Sequence, residues 1–246
     1  MKNKIPEPDI SSSLLQYLRY GIQLSYLMIN IYAGYSLVYN PGLSKWLFIG
    51  VIVLSGMFFC GWLCPFGAVQ EHLRLIGRKM GLNFRIPAKI DKYLTWLRYF
   101  PGLILPGTVW GIINAQGTFY RTLLTGFILT LAVLFLVVIL LLSLAIERPY
   151  CKYLCFYGAS KSLFSFLRIF SIRRDPDNCI SCRLCDKICP MNVTISKVRS
   201  VRDIRCINCM KCIAACPRKK ALKFGFTIPK PADFKIFLPG KSKNKP

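Results

Sequence analysis

Residues 179–190 read CISCRLCDKICP and residues 206–217 read CINCMKCIAACP. Each is C-x2-C-x2-C-x3-C-P, and nothing else in the chain constrains its fold so strongly. Three thiolates at this spacing lie on a tight loop and reach three irons of one cubane, whereas the fourth cysteine, on the helix that follows, ligates the other cluster. The spacing therefore predicts one [4Fe-4S] cluster held by Cys179, Cys182, Cys185 and Cys216, and a second held by Cys206, Cys209, Cys212 and Cys189. Pro190 and Pro217 close the two loops. Zinc fits less well, because zinc modules separate two C-x-x-C knuckles by a longer arm. Disulfides are disfavoured in the reducing compartment that the basic flanks indicate.

A quieter repeat precedes the first. CGWLCPFGA at 60–68 aligns with CKYLCFYGA at 151–159, each a C-x3-C followed by an aromatic residue and Gly-Ala. Positions i and i+4 of a helix share a face, so Cys60 with Cys64, and Cys151 with Cys155, are expected to form two pairs on the same side of the molecule. The four thiols are candidates for a redox dithiol site or for a further metal or iron–sulfur site joining the two parts of the chain. The plainer reading is that small buried residues pack helix ends there.

At 246 residues, 54% hydrophobic and with a mean hydropathy of +0.42, the chain is apolar for an ordinary water-soluble fold. Four intervals carry no charge: 20–44, 46–70, 99–120 and 122–146. Each is long enough for the roughly 20 apolar residues of a spanning helix. Lys45 and Arg121 are separated by these intervals from the other 32 of the 34 basic residues, and such a bias places the basic side in the cytoplasm. The expected fold class is a membrane all-α part of four transmembrane helices followed by a small α+β ferredoxin-like domain of the bacterial 2[4Fe-4S] type. Residues 1–171 make the membrane part, with an interfacial helix around SLFSFLRIF; residues 172–225 make the cluster domain; residues 226–246 form a basic, proline-containing tail. The localisation that follows is the cell's inner, cytoplasmic membrane, multi-pass, with both termini and the clusters in the cytoplasm. No cleavable leader is expected, since Glu7 and Asp9 precede the first apolar run.

Charge and histidine content narrow the chemistry. The formal net charge is +24, which favours anionic membrane lipid or acidic proteins. Nucleic acid is not an expected partner, because no recognised binding motif accompanies the charge. His72 is the one histidine, so the chain by itself builds neither a bis-histidine nor a C-x-x-C-H haem. Arg19, Gln23, Tyr26 and Asn30 form one polar stripe on the first helix, a candidate quinone headgroup pocket or a set of interhelical hydrogen bonds. Glu71 and His72 follow the first C-x3-C and are candidate proton carriers, or a solvated loop pair.

The order of helices, a C-x3-C-P, another C-x3-C and two ferredoxin motifs resembles the NapH-like ferredoxin-type membrane proteins, which are related to the membrane cores of NosR- and CcoG-type proteins. The resemblance covers about residues 14–225. One departure is Cys155-Phe156, where the family has Cys-Pro. Only 13 residues precede the first helix, so an added flavin domain is not expected. The resemblance implies an iron–sulfur electron-transfer subunit relaying electrons between the quinol pool and a partner reductase, with quinol dehydrogenase activity only inside a complex. Its redox partners would be an acidic cytoplasmic carrier, a membrane or extracytoplasmic reductase subunit, or both. The alternatives are a metal-handling or maturation factor that reduces a metal or disulfide for another protein, and a membrane iron–sulfur redox sensor.

Overall fold

The structure is a computed structural model that describes residues 14–33, 50, 54, 56–82, 84, 86–99, 117–119, 122, 130–218 and 220–227. Helix α1 (Leu14–Ala33) packs on α2 (Phe58–Trp62) and on α3 (Pro65–Lys79). Helix α4 (Ala88–Leu94) runs into a 3-10 turn at Thr95–Tyr99. Helix α5 (Thr130–Ala145) crosses α3, and α6 (Pro149–Tyr153) and α7 (Phe156–Phe164) follow it. The α3–α5 crossing is close because position 77 is glycine: a Cβ there would lie 1.9 Å from the Leu144 carbonyl oxygen.

The remainder is a small α+β unit. Strand β1 (Phe170–Arg174) pairs antiparallel with β2 (Leu222–Phe226), in a register that sets Phe170 opposite Phe226 and Arg174 opposite Leu222. Between the strands lie two cysteine loops, each followed by a short helix: α8 (Leu184–Ile188) and α9 (Lys211–Ala214). Ile172, Ile188, Met191, Val193, Ile195, Val201 and Leu222 form the core beneath them, together with Cys185, Cys206, Cys209 and Cys212. Each fully buried aliphatic side chain contributes on the order of 1.5–3 kcal/mol, so this core holds the loops even though they contain little regular structure.

The helical part departs from the four-span expectation. Among the described residues, no helix is long and apolar enough to cross a membrane. The interval 46–70 is broken: α2 stops at Trp62, and α3 begins at Pro65, a residue that serves at a first helical position but cannot continue a preceding helix. The described residues of α5, Thr130–Ala145, rise about 24 Å at 1.5 Å each. Helix α1 begins at Leu14, ahead of its charge-free interval, and buries Gln16, Arg19 and Gln23 against the rest of the protein. Most of the interval 99–120 lies outside the described residues.

One smaller expectation changes as well. The SLFSFLRIF segment is not one helix, since α7 gives way to a 3-10 turn at Ser165–Leu167 and then to β1. The cause is Arg168, fully buried and donating to the carbonyl oxygens of Val201, Asp203 and Cys206, which ties the chain to the second cysteine loop at that point. Trp62, the last residue of α2, is buried, and its Nε1–H donates to the Asn208 carbonyl at 3.0 Å.

Candidate metal centres

The two C-x2-C-x2-C-x3-C loops repeat one backbone shape. Ser181 and Arg183 in the first have φ of 53° and 56°, and Asn208 and Met210 at the equivalent positions of the second have 48° and 57°. Left-handed residues alternating with ordinary ones turn successive N–H groups inward, making a concave nest for an anion. Cys179, Cys182, Cys185 and Cys216 line one enclosed cavity together with Arg174 and Arg183. Cys189 lies in the electrostatic neighbourhood of Cys206, Cys209 and Cys212 instead. Each loop thus keeps its first three thiols together and sends the fourth across.

The thiol environments differ. Burial pushes Cys185 up to about 12, with the Asp186 carboxylate adding to the effect. Cys179 is lowered by the Ser181 N–H and by Arg174. Asp186 braces the first loop, accepting from the Ile195 and Ser196 N–H groups at 2.6 and 2.9 Å and from the Ser196 hydroxyl at 2.5 Å. The Val193 N–H donates to the Cys189 sulfur at 3.4 Å.

The paired C-x3-C motifs also repeat one shape, though not the predicted one. Cys60 and Cys64 are not i and i+4 of a single helix, and neither are Cys151 and Cys155. In each motif a five-residue helix ends two residues before the second cysteine, and that cysteine is the N-cap of the next helix. The hydrogen bonds match pair for pair: Leu63 and Cys64 both donate to the Phe59 carbonyl, and Leu154 and Cys155 both donate to the Tyr150 carbonyl. Phe156 fills the first helical position that Pro65 fills in the other copy, so its departure from Cys-Pro leaves the geometry unchanged. All four thiols line one enclosed cavity, which Met57, Phe66, Tyr150, Met191 and Ile207 help to close.

Buried charge surrounds these sites. Glu71 is 1% exposed and accepts from the Arg19 Nη1 at 3.0 Å and from its Nη2, from the Arg148 Nη2 at 2.5 Å, and pairs with the Lys211 Nζ at 2.9 Å. Burial alone would raise its carboxyl, but Lys211, Arg148 and Arg19 hold it well below the usual carboxylate range. Lys211 also pairs with Glu147, which Arg78 meets at 3.3 Å. Arg148 takes a left-handed φ of 52°, uncommon for a non-glycine residue. Its guanidinium is fixed by Glu71 and by the Cys60 carbonyl at 2.6 Å. A second buried group joins Asp91 to Lys152 at 2.5 Å and to the Tyr153 hydroxyl.

Among the described residues, no three His, Cys, Asp or Glu side chains converge closely enough to hold a single metal ion. All twelve cysteines are free thiols. Thiols that share cavities without meeting at one point suit a polynuclear centre, with one sulfur ligand for each iron.

Comparison with known proteins agrees with this geometry. A 4Fe-4S dicluster domain model matches residues 171–217, and a 4Fe-4S binding domain model matches residues 44–83 and 128–173. YccM of Escherichia coli, named for electron transport, is 31% identical over 200 residues, which cover 74% of this chain and 55% of that protein. The ferredoxin-type protein NapH of Haemophilus influenzae is 34% identical over 148 residues, 56% of this chain and 49% of NapH. These relatives and the two 4Fe-4S domain models support a NapH-like ferredoxin-type iron–sulfur family. The regulatory protein NosR of Pseudomonas aeruginosa shares 32% over 140 residues, 20% of its own length. The chain spans little more than half of the first of these relatives. No solved structure matches.

Several residues of this NapH-like chain that serve the sites escaped the sequence reading. Gln16 extends the Arg19 and Gln23 stripe and donates to the Cys209 carbonyl at 3.2 Å. The stripe therefore binds protein backbone and Glu71; the side chain of Asn30 lies outside the described residues. Glu71 is a buried ion-pair centre rather than part of a solvated loop, and the His72 ring nitrogen meets the Ala68 carbonyl 2.8 Å away. Arg148 and Gln70 carried no pattern that would single them out. Arg148 precedes Cys151 by three positions and Gln70 follows Cys64 by six, and this nearness to the C-x3-C motifs was the available signal.

If the crossed ligand sets hold, Cys216→Ser will damage the cluster of Cys179, Cys182 and Cys185, not the one whose loop contains it. Paramagnetic resonance of the reduced protein checks this: one signal is expected to be altered, and paired Cys212→Ser and Cys185→Ser variants identify which.

Proposed function

We propose that this chain is an iron–sulfur electron-transfer subunit that relays electrons between the quinol pool and a partner reductase. The supporting observation is the contact between its cysteine groups. The second loop sits directly on α2: a Cβ at Gly61 would lie 2.4 Å from the Ile207 carbonyl oxygen, and Ile207 and Met191 of the cluster domain border the C-x3-C cavity. In this reading Cys179, Cys182, Cys185 and Cys216 hold one [4Fe-4S] cluster, Cys206, Cys209, Cys212 and Cys189 hold a second, and the C-x3-C cavity takes a further metal or iron–sulfur group. Such clusters supply one-electron redox chemistry. The chain encloses the ligands, and its arginines offset their charge.

An open apolar groove of about 570 Å3 along α1, lined by Leu14, Leu18, Ile22, Ile29 and Leu63, is compatible with an apolar donor. Its size lies within the usual range for small-molecule sites, and Leu63 adjoins Cys64. From Ile172 onward there are 18 basic and 5 acidic residues, a balance that suits an acidic redox carrier. The test is anaerobic mixing with a reduced quinol analogue while cluster absorbance is followed. Rapid bleaching is expected, and binding to an acidic carrier should weaken between 0.1 and 1 M salt, as the Debye length falls from about 10 to about 3 Å. Clusters that a low-potential carrier reduces but no quinol reaches would sink the quinol part of the proposal.

A further inference from the structure

We infer that Cys60, Cys64, Cys151 and Cys155 together bind one additional [4Fe-4S] cluster, assembled from two halves of the chain. The inference deepens the relay reading by naming the group that the C-x3-C cavity takes.

The first support is symmetry. The 4Fe-4S binding domain model matches two separate stretches, and each contains one C-x3-C pair, only half the cysteines that such a cluster uses. The structure joins the halves: the duplicated helix–cysteine–helix units present all four thiols to one cavity. In both units the second cysteine occupies the N-cap position of a helix, an end where N–H groups and the helix dipole favour a bound anion. The Gly158 N–H donates to the Cys155 sulfur at 3.3 Å.

Charge is the second support. A [4Fe-4S] core in its oxidised state with four thiolates is a dianion, and a buried charge requires compensation. Arg98, Arg148, Lys161 and Arg205 line the cavity, and no carboxylate does. Arg98 and Arg148 are 3% and 1% exposed, and the Nε–H of each has no hydrogen-bond partner. Arg148 shares the single Glu71 carboxylate with Arg19 and Lys211, and Arg98 donates to the neutral Tyr99 and Ser162 hydroxyls. An anionic sulfur-rich group in the cavity supplies the further negative charge that these cations accept.

The alternatives narrow the class, in a cavity of about 40 Å3. A single ion is disfavoured, because no three potential ligands converge on one point among the described residues, a condition shared with the dicluster loops. The four thiols are all free, with no disulfide among them.

Gln70 is the positioning residue of this site. Its Nε2–H donates to the Cys151 sulfur at 3.3 Å while its Oε1 accepts from the Tyr150 N–H at 3.2 Å. Hydrogen bonds to cluster sulfurs help to set the reduction potential, so losing this one should lower the potential of the additional cluster alone.

The experiment is iron and acid-labile sulfide analysis of the anaerobically purified full chain, with redox-titrated paramagnetic resonance. The wild type should contain about twelve irons, four for each of three cubanes, and Cys60→Ser/Cys151→Ser should fall to about eight with both dicluster signals intact. Should the double variant fail to accumulate, Gln70→Leu provides the test: one of three midpoint potentials drops and two stay. About eight irons in the wild type, about ten as for a binuclear centre, or a Gln70→Leu titration identical to the wild type would overturn the assignment. Eight irons with both dicluster signals reducible by quinol would leave the relay reading standing. Three clusters unreachable by quinol would defeat the quinol relay and leave this site.

Discussion

Glu71→Gln will destabilise the protein by about 3–5 kcal/mol, the usual range when one partner of a buried ion pair is removed. Three cations meet this one carboxylate: Arg19 and Lys211 from opposite ends of the sequence, and Arg148 between the C-x3-C motifs. An amide of the same shape keeps some hydrogen bonds but leaves the positive charges unpaired, in a protein whose total stability is on the order of 5–15 kcal/mol. Lys211→Met should cost less, since Arg19 and Arg148 still neutralise Glu71 and Arg78 still meets Glu147. Anaerobic thermal unfolding followed by circular dichroism, with cluster absorbance alongside, gives the ranking; equal costs for the two variants would contradict a shared-carboxylate hub. The pH dependence has a definite sign. The folded carboxyls of Glu71 and Glu147 are held below the ordinary glutamate value of 4.5, so their contribution is fully present above 4.5 and is lost as pH falls below it through the folded values. Glu71→Gln should flatten that acid limb.

Gly61→Ala is expected to disrupt the junction between the helical part and the cluster domain. The added methyl would sit 2.4 Å from the Ile207 carbonyl oxygen and 3.3 Å from the Cys209 nitrogen. Both obstacles are backbone on a loop whose shape the ligands require, so neither can move cheaply. Retreat of α2 instead would stretch the Gly61 carbonyl away from Arg19 at 3.0 Å and Gln23 at 2.8 Å, and would pull Trp62 from Asn208. Overpacking of this kind typically costs about 1–3 kcal/mol and sometimes more. Gly21→Ala is the control, with nothing within 4 Å of the new methyl and a helix-propensity gain of roughly 0.5–1 kcal/mol. Resonance spectra should show the signal assigned to Cys206, Cys209, Cys212 and Cys189 perturbed in Gly61→Ala, with that of the other dicluster set retained. An unperturbed spectrum with wild-type thermal stability would show that the contact carries no weight.

Spacing along the chain was enough to recognise the chemistry and the family, because cluster ligands on one loop are a short-range code. C-x2-C-x2-C leaves the backbone few ways to gather three sulfurs, and the same left-handed positions recur in Ser181 and Asn208 and in Arg183 and Met210. The repeat of CGWLCPFGA in CKYLCFYGA was visible for the same reason. Hydropathy was misleading over the helical part: it counts charges in an interval, whereas Pro65 breaks 46–70 into two helices and the polar residues at the start of α1 anchor it to the second cysteine loop. Only tertiary structure could bring Cys60 and Cys64 to Cys151 and Cys155, or set Arg19, Arg148 and Lys211 around Glu71. Those meetings join residues 52 to 140 positions apart, and such contacts depend on how helices pack, on the close approach that a single glycine permits, and on desolvation that gives a buried charge one acceptable set of partners.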